Sequence, residues 1–382
     1  MNRIEKLIAE LCPDGVEWRK LGEVCEIIMG TSPEGKTISS NSTNGIEFHQ
    51  GKLFFGNKFL KHSNLFTTSP IKIAKPGSIL MSVRAPVGDT NITDRAVAIG
   101  RGLCSILGQS STQTQFIYYY LKAFVNIIKR KSTGSTFEAI NKNDVISLPI
   151  PIPPLPIQEE IVKILDTFTE LEAELEAELE ARKKQYEYYR NKLLTPVEHN
   201  GRWYLNGKEV ERKKLGEVCE SISSGKNKSR NPNGKYPVFG STGIIAYSNN
   251  YVYDKEAILI ARVGANAGFV NKSKGKYDVS DNTLILLPKE EYHLMFAYYQ
   301  LKNFNLNKLT KGGGQPLITA SQIKQIPIPI PPLSEQERIV AILDKFDALV
   351  NDISQGLPAE IEARRKQYEY YRNKLLTFKP KE

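Results

Sequence analysis

The residues that come nearest to a catalytic pattern are Asp14, Glu17 and Lys20, just after Pro13. Two carboxylates and a lysine suggest a nuclease, but the spacing is wrong and no strand frames them. A capped turn ahead of a strand is the reading taken. The four histidines, His49, His62, His199 and His293, show no metal-ligand spacing. No G-x-x-x-x-G-K-[ST] run cradles a nucleotide phosphate. There is no Asn- or Asp-Pro-Pro-Tyr and no glycine-rich loop suited to S-adenosylmethionine, and Pro-Pro occurs only inside two similar proline-rich stretches. Catalysis by this chain alone is therefore not expected, and no metal or cofactor is assigned to it. What remains is binding chemistry. With 52 Lys+Arg against 42 Asp+Glu the net charge is +10. That excess permits attraction to a polyanion without demanding it, and a merely basic soluble protein would look the same.

The elements that must position any binding surface come in duplicate. Gln185-Tyr-Glu-Tyr-Tyr-Arg-Asn-Lys-Leu-Leu-Thr195 returns unchanged as Gln367 to Thr377, an offset of 182. Lys20-Leu-Gly-Glu-Val-Cys-Glu26 returns at Lys214 to Glu220, an offset of 194, and Pro149-Ile-Pro-Ile-Pro-Pro-Leu155 at Pro327 to Leu333, an offset of 178. The block between the last two markers is thus 16 residues shorter in the second copy, and the helical run 4 residues longer. The ends are shared while the contents differ. A repeat of this length is far too long for a solenoid and reads as duplication of a whole domain with its helix.

At 382 residues, 40% hydrophobic and 25% charged, the chain is long enough for two or three domains with cores of their own. No apolar run approaches the roughly 20 residues of a membrane span. The opening Met-Asn-Arg-Ile-Glu-Lys-Leu-Ile-Ala-Glu-Leu reads as a short amphipathic helix rather than a secretory signal. Cys12, Cys25, Cys104 and Cys219 form no C-x-x-C pair, which suits reduced thiols in a cytoplasm.

The first block, about 15–148, is turn-rich at Gly30-Thr-Ser-Pro-Glu-Gly35. Strand-like runs follow at Lys52-Leu-Phe-Phe-Gly56 and Ser78-Ile-Leu-Met-Ser-Val83, the second broken by Arg84-Ala-Pro-Val-Gly88. Phe116 to Phe124 reads as a helix with an aromatic face, and residues 129–136 as a basic loop. The second block, about 203–326, follows the same plan. Ala257-Ile-Leu-Ile-Ala-Arg-Val-Gly264 parallels residues 78–83, placing Arg262 near the position of Arg84. Met295 to Leu301 parallels Phe116 to Leu121. Together these predict mixed α+β domains.

The proline-rich stretches cannot be interior strands, because alternate residues lack an N–H; each is an edge strand or polyproline II lead-in to a helix. Ser334-Glu-Gln-Glu337 has the form of a capping box. From Ile161 to Leu193, and again from Ile339 to Leu375, apolar and aromatic side chains recur in steps of three, four and seven, as in a coiled-coil seam. Glu172 and Arg182 interrupt the first run, and Gly356-Leu-Pro358 is placed to kink the second. A helix from about 158 to 194 would run ~55 Å, about one and a half turns of B-DNA at ~34–36 Å per turn. The two stripes invite each other as partners. Tyr186, Tyr188, Tyr189, Tyr368, Tyr370 and Tyr371 are either seam residues or a docking face for another subunit.

Leu-Gly-Glu-Val opening each half, Pro-Ile-Pro-Pro-Leu before Gln-Glu or Glu-Gln, and the closing Lys-Gln-Tyr-Glu-Tyr-Tyr-Arg-Asn-Lys-Leu-Leu together resemble the specificity (S) subunit of type I restriction-modification systems, over essentially the whole chain. The resemblance implies an α+β fold: two mixed globular target-recognition domains (1–148 and 197–326) separated by long antiparallel coiled-coil spacer helices (149–196 and 327–382), with a pseudo-twofold repeat. It implies that each domain reads one half of a split DNA target. Two modification subunits would bring S-adenosylmethionine, and restriction subunits would bring ATP- and Mg²⁺-dependent translocation and cleavage. Arginine forks guanine, Asn or Gln pairs with adenine, and lysine holds phosphate. The candidate DNA contacts are then His49, Gln50, Lys52, Arg84 and Lys131 in the first block. In the second they are Lys226, Asn227, Lys228, Arg230, Ser241, Thr242, Arg262 and Gln315. Two rival readings are a self-contained nuclease or methyltransferase and a protein-only scaffold joining two partners.

Overall fold

A computed structural model of the protein describes residues 3–40, 45–110, 112–130, 139–228, 231–310, 316–352 and 354–381. The chain forms two compact units, Met1–Glu174 with Ile361–Glu382, and Leu175–Glu360. Each unit holds one globular head and parts of the long helices, so the boundary at 174/175 falls inside a helix rather than between a head and a helix.

Each head is built on a four-stranded antiparallel sheet of the same order. In the first it runs Cys25–Met29, Leu103–Gly108, Ile79–Ser82, Thr90–Ile92. In the second it runs Cys219–Ser224, Thr283–Pro288, Ala257–Ala261, Val270–Ser273. The unbroken apolar runs noted in the sequence are the inner strands Ile79–Ser82 and Ala257–Ala261, buried along their whole length. Successive side chains of a strand point to opposite faces. Ile79 and Met81 therefore enter the main core with Phe116 and Tyr119, while Leu80 enters a second cluster with Leu60, Val97 and Ile99. Ile258 and Ile260 divide from Leu259 in the same way. Both faces are covered, which is why these strands carry no polar alternation.

One face is covered by the aromatic helices Thr114–Ala123 and Leu294–Phe304. In the first, all six residues from Phe116 to Leu121 are buried. The other face carries a small second sheet in each head. Its central feature is a parallel pair, Ile46–His49 with Val97–Ile99 and Tyr236–Gly240 with Asp278–Val279. The run from Lys52 does not form the expected strand: Lys52–Phe54 is a single 3-10 turn, with Leu53 85% exposed.

The proline-rich lead-ins are two-stranded antiparallel edges: Pro149–Pro151 pairs with Trp18–Lys20, and Pro327–Ile330 with Glu211–Lys214. The helices after them start at the next residue, Leu155 after Pro154 and Leu333 after Pro332. The first runs Leu155–Leu194, 40 residues, or ~60 Å. The second is broken into Leu333–Asn351 and Leu357–Leu375. The break is complete where the sequence suggested a kink. Asp352 Oδ1 accepts from Ser354 N, Ser354 Oγ and Gln355 N, and a Cβ on Gly356 would lie 2.4 Å from the Ala348 carbonyl oxygen. Ser334 does not cap its helix. The N-cap is Pro332, and Glu335 is taken up by Arg338 and Lys208, so the expected capping box is not formed.

Among the described residues no helix is long and apolar enough to cross a membrane, and no cluster of three His, Cys, Asp or Glu could hold a metal ion. All four cysteines are buried and unpaired. Burial pushes the Cys25, Cys104 and Cys219 thiols up to about 12, which leaves them unreactive.

Candidate nucleic-acid interface

The same backbone hydrogen bonds tie four loops together at one end of each head. In the first head, Gly30 N donates to Leu103 O (2.9 Å), Thr31 N to Ile99 O (3.0 Å), Gly100 N to His49 O (2.8 Å) and Val83 N to Gly102 O (3.0 Å). In the second, Gly225 N donates to Thr283 O (3.0 Å), Asn227 N to Val279 O (3.0 Å), Ser280 N to Phe239 O (2.8 Å) and Arg262 N to Asn282 O (3.0 Å). Glycine is required at the crossing. A Cβ on Gly30 would sit 2.1 Å from the Gly100 carbonyl oxygen, and one on Gly225 2.2 Å from that of Val279. The frame is duplicated at the level of single peptide groups except at one point, where the donor to Val279 O lies two residues after Gly225 and the donor to Ile99 O only one after Gly30; the side chains on it differ.

This register corrects one sequence pairing. Arg262 occupies the position of Val83, and Val263 that of Arg84, since Val263 bridges Leu317 as Arg84 bridges Ala139. Arg84 is exposed. Arg262 is half-buried, donates from Nη1 to the Asp281 carbonyl (3.3 Å), and its Nε has no partner among the described residues. It therefore braces the 280–282 turn, and its removal would disturb that turn as well as any contact it makes.

The other candidates fall into three groups. Gln50, Lys226, Lys228 and Thr242 are exposed on the loop end, with Gln50 Oε1 accepting from Ser32 Oγ at 2.8 Å. Lys52, Asn227 and Ser241 are half-exposed and already engaged: Lys52 with Asp89, Asn227 Nδ2 with Asp278 Oδ2 (2.6 Å), Ser241 Oγ with Asn282 O (2.9 Å). His49 faces inward. It is 1% exposed, with its ring 2.9 Å from Glu47, and cannot touch a duplex. Lys131, Arg230 and Gln315 lie outside the described residues.

His49 belongs to a hub that the sequence did not reveal. The buried Glu47 carboxylate accepts from Arg95 Nε (2.6 Å) and Nη2 (2.9 Å), Ser63 N (2.8 Å), His62 Nδ1 (3.1 Å) and His49 Nε2 (2.9 Å). Burial raises its pKa, but these donors together outweigh burial and hold it down at about 2. A carboxylate depressed in the folded state contributes stability above its unfolded pKa and loses it as pH falls toward 2. Glu47→Gln is accordingly expected to cost about 3 kcal/mol at pH 7 and progressively less as pH falls below 4.5. Thermal melts at pH 7 and pH 3 check this; an equal loss at both would refute it. The hub anchors the strand that ends at His49, and so the Gln50 loop.

The helical tyrosines separate by role. In the first unit Phe168 stacks on Tyr371 (5.8 Å, 25°) beside Tyr368 (6.2 Å), and Glu172 meets Arg365, so these helix segments run antiparallel. In the second unit Phe346 stacks on Tyr186 (6.1 Å, 20°) and Tyr189 (5.6 Å, 22°). Tyr186, Tyr189, Tyr368 and Tyr371 are therefore seam residues. Tyr188 and Tyr370 are 60% and 63% exposed.

Each head is latched to its helix by duplicated contacts. Gln158 accepts from Gln113 N (2.9 Å) and donates to Pro153 O (2.7 Å). Gln336 accepts from His293 N (2.8 Å) and donates to Glu291 O (3.0 Å) and Pro331 O (2.9 Å). Tyr119 donates to Asp166, as Tyr299 does to Asp344 (2.6 Å).

With this geometry in view, the comparisons with known proteins agree closely. The family model described as type I restriction modification DNA specificity domain matches residues 13–181 and 207–363. The Type I restriction enzyme EcoprrI specificity subunit of Escherichia coli is 31% identical over 93% of this chain and 92% of its own length. A putative type I restriction enzyme specificity subunit of Haemophilus influenzae is 32% identical over 95% and 96%. Among solved structures, the type I restriction-modification S subunit of M. genitalium superposes with a TM-score of 0.61 at 18% identity, over 95% of this chain and 96% of that one. A chain from a type I R-M system solved to explain complex assembly reaches 0.66 at 19%, over 95% and 98%. At these identities the likeness is one of fold.

Proposed function

This chain belongs to the type I restriction-modification DNA specificity family, and we propose that each of its two heads reads one half of a split duplex target through its loop end. The observation that carries this is the pair of loop ends: one backbone frame, repeated with a single one-residue offset after Gly225, bearing Gln50 and Arg84 in one head and Lys226, Lys228 and Thr242 in the other. A frame kept while its side chains diverge suits two readers of different half-sequences. The exposed lysines set register on phosphate, and the arginine and amide groups meet base edges. Lys131, Arg230 and Gln315 remain candidates on the same grounds of residue type.

The helices fix the interval between half-sites and dock two modification subunits, with Tyr188 and Tyr370 at the contact. Those subunits carry S-adenosylmethionine and methylate adenine; restriction subunits carry ATP- and Mg²⁺-dependent translocation and cleavage. The complex works in the cytoplasm. The test is to assemble the full chain with its modification subunits and map methylated adenines on genomic DNA. A bipartite motif with a fixed gap, and DNA affinity that falls steeply with salt, are expected. Absence of sequence-dependent binding at any salt concentration would end the reading.

A further inference from the structure

The tight turns at residues 100–102 and 280–282 stand at the centre of the two loop ends. Each is closed by the same bond, Leu103 N to Gly100 O (3.0 Å) and Thr283 N to Ser280 O (3.2 Å). Each is flanked by the same ties, from the preceding residue to His49 or Phe239 and from the following residue to Val83 or Arg262. The middle residues, Arg101 and Asp281, are therefore structural equivalents, and they carry opposite charge.

Neither is consumed by its own head. Arg101 is exposed and forms no ion pair among the described residues; only its backbone N–H is engaged, by Ser32 Oγ (3.3 Å). Asp281 is half-exposed, and what Arg262 holds is its backbone carbonyl, not its carboxylate. A carboxylate at the middle of a DNA-facing loop end cannot serve a phosphate. Against a duplex it gains only opposite a hydrogen-bond donor; the major-groove donors are the amino groups of adenine and cytosine, and a carboxylate, which has no donor for adenine N7, suits cytosine N4. The shared frame then places Arg101 at a base edge as well.

We infer that Arg101 and Asp281 are paired specificity-determining residues, one in each head: Arg101 forks the O6 and N7 of a guanine, and Asp281 accepts from the N4 amino group of a cytosine. This rests on the recognition reading above and extends it to residue positions that composition did not single out.

The test uses the full chain assembled with its modification subunits, methylome mapping, and affinity measured against duplexes randomised one position at a time. R101A should lower affinity for the wild-type target roughly 5- to 150-fold and make one guanine position of one half-motif degenerate, with the other half-motif unchanged. R101K, which keeps charge but lacks the fork, should relax the same position. D281N should relax a cytosine in the other half-motif only. Melting temperatures of the variants within a degree or two of wild type exclude misfolding as the cause. If R101A instead weakens binding to every sequence alike and lowers the salt slope by about one, Arg101 is a phosphate contact and the inference fails. It fails equally if D281N tightens binding to all duplexes or leaves both half-motifs intact. A wild-type complex without a split motif would remove the recognition reading itself, a result separable from either of these.

Discussion

Gln336→Leu is expected to disconnect recognition of one half-site while the heads remain folded. The side chain is fully buried, and its amide satisfies His293 N, Glu291 O and Pro331 O. Leucine fills nearly the same volume but offers no hydrogen bond, so three buried backbone groups lose a partner. At about 1–3 kcal/mol for each stranded group, a loss of roughly 3 kcal/mol or more is expected even if water replaces part of the set. The amide joins the start of helix Leu294–Phe304 to the start of helix Leu333–Asn351. The loss therefore appears first as a looser joint between head and helix. Gln158→Leu should give the mirrored result, since Gln158 holds Gln113 N and Pro153 O in the first unit. Hydrogen exchange should rise at the affected joint, and methylation mapping should show one half-motif degraded by Gln336→Leu and the other by Gln158→Leu. Identical effects of the two variants on both half-motifs would contradict independent latches.

What the sequence made legible was whatever repeats or buries itself on two faces. The duplicated markers located the lead-ins and helices, and the apolar runs at 79–81 and 257–261 located the inner strands because both faces are buried there; the buried polar group that follows the first, Ser82 Oγ, is taken up by the Pro86 carbonyl. Hidden features depended on partners far along the chain. Glu47 and His49 look like surface residues until Arg95, Ser63 and His62 supply the donors that make burial of a carboxylate tolerable. Arg262 looked equivalent to Arg84 because both follow an apolar run. Yet the inner strand is Ile79–Ser82 in one head and Ala257–Ala261 in the other, and a shift of one residue turns a side chain to the opposite face. The 3-10 turn at Lys52–Phe54 was masked by its apolar composition, since Leu53 is apolar and exposed. Arg101 and Asp281 gave no signal, because their equivalence lies in backbone bonds and the letters around them differ.

Replacing both Tyr188 and Tyr370 by alanine should weaken capture of the modification subunits by about 30-fold at each site, so that at concentrations just above the wild-type Kd none stays bound, and replacing either one should there leave a complex with a single modification subunit. The eleven-residue repeat gives each unit three tyrosines, of which two pack against Phe168 or Phe346 and one stands clear. The seam alone accounts for the first and last tyrosine of each repeat, Tyr186 with Tyr189 and Tyr368 with Tyr371. It does not account for a third ring held edge-on to its neighbour at 5.3 Å in both copies, exposed to water. Lys192 also lies 5.9 Å from the centre of the Tyr188 ring. A rigid, amphipathic ring on a helix is the kind of side chain that dominates binding at a protein interface, where its truncation costs 2 kcal/mol or more, about 30-fold in affinity. Because the ring makes no core contact, alanine should leave the melting temperature almost unchanged, unlike Tyr186→Ala or Tyr368→Ala, which open the seam. Native mass spectrometry of the reconstituted complex counts the modification subunits directly. Two bound per chain in the double variant would assign docking to another surface of the helices, whereas one bound in each single variant would show that the repeated segment is the repeated binding site.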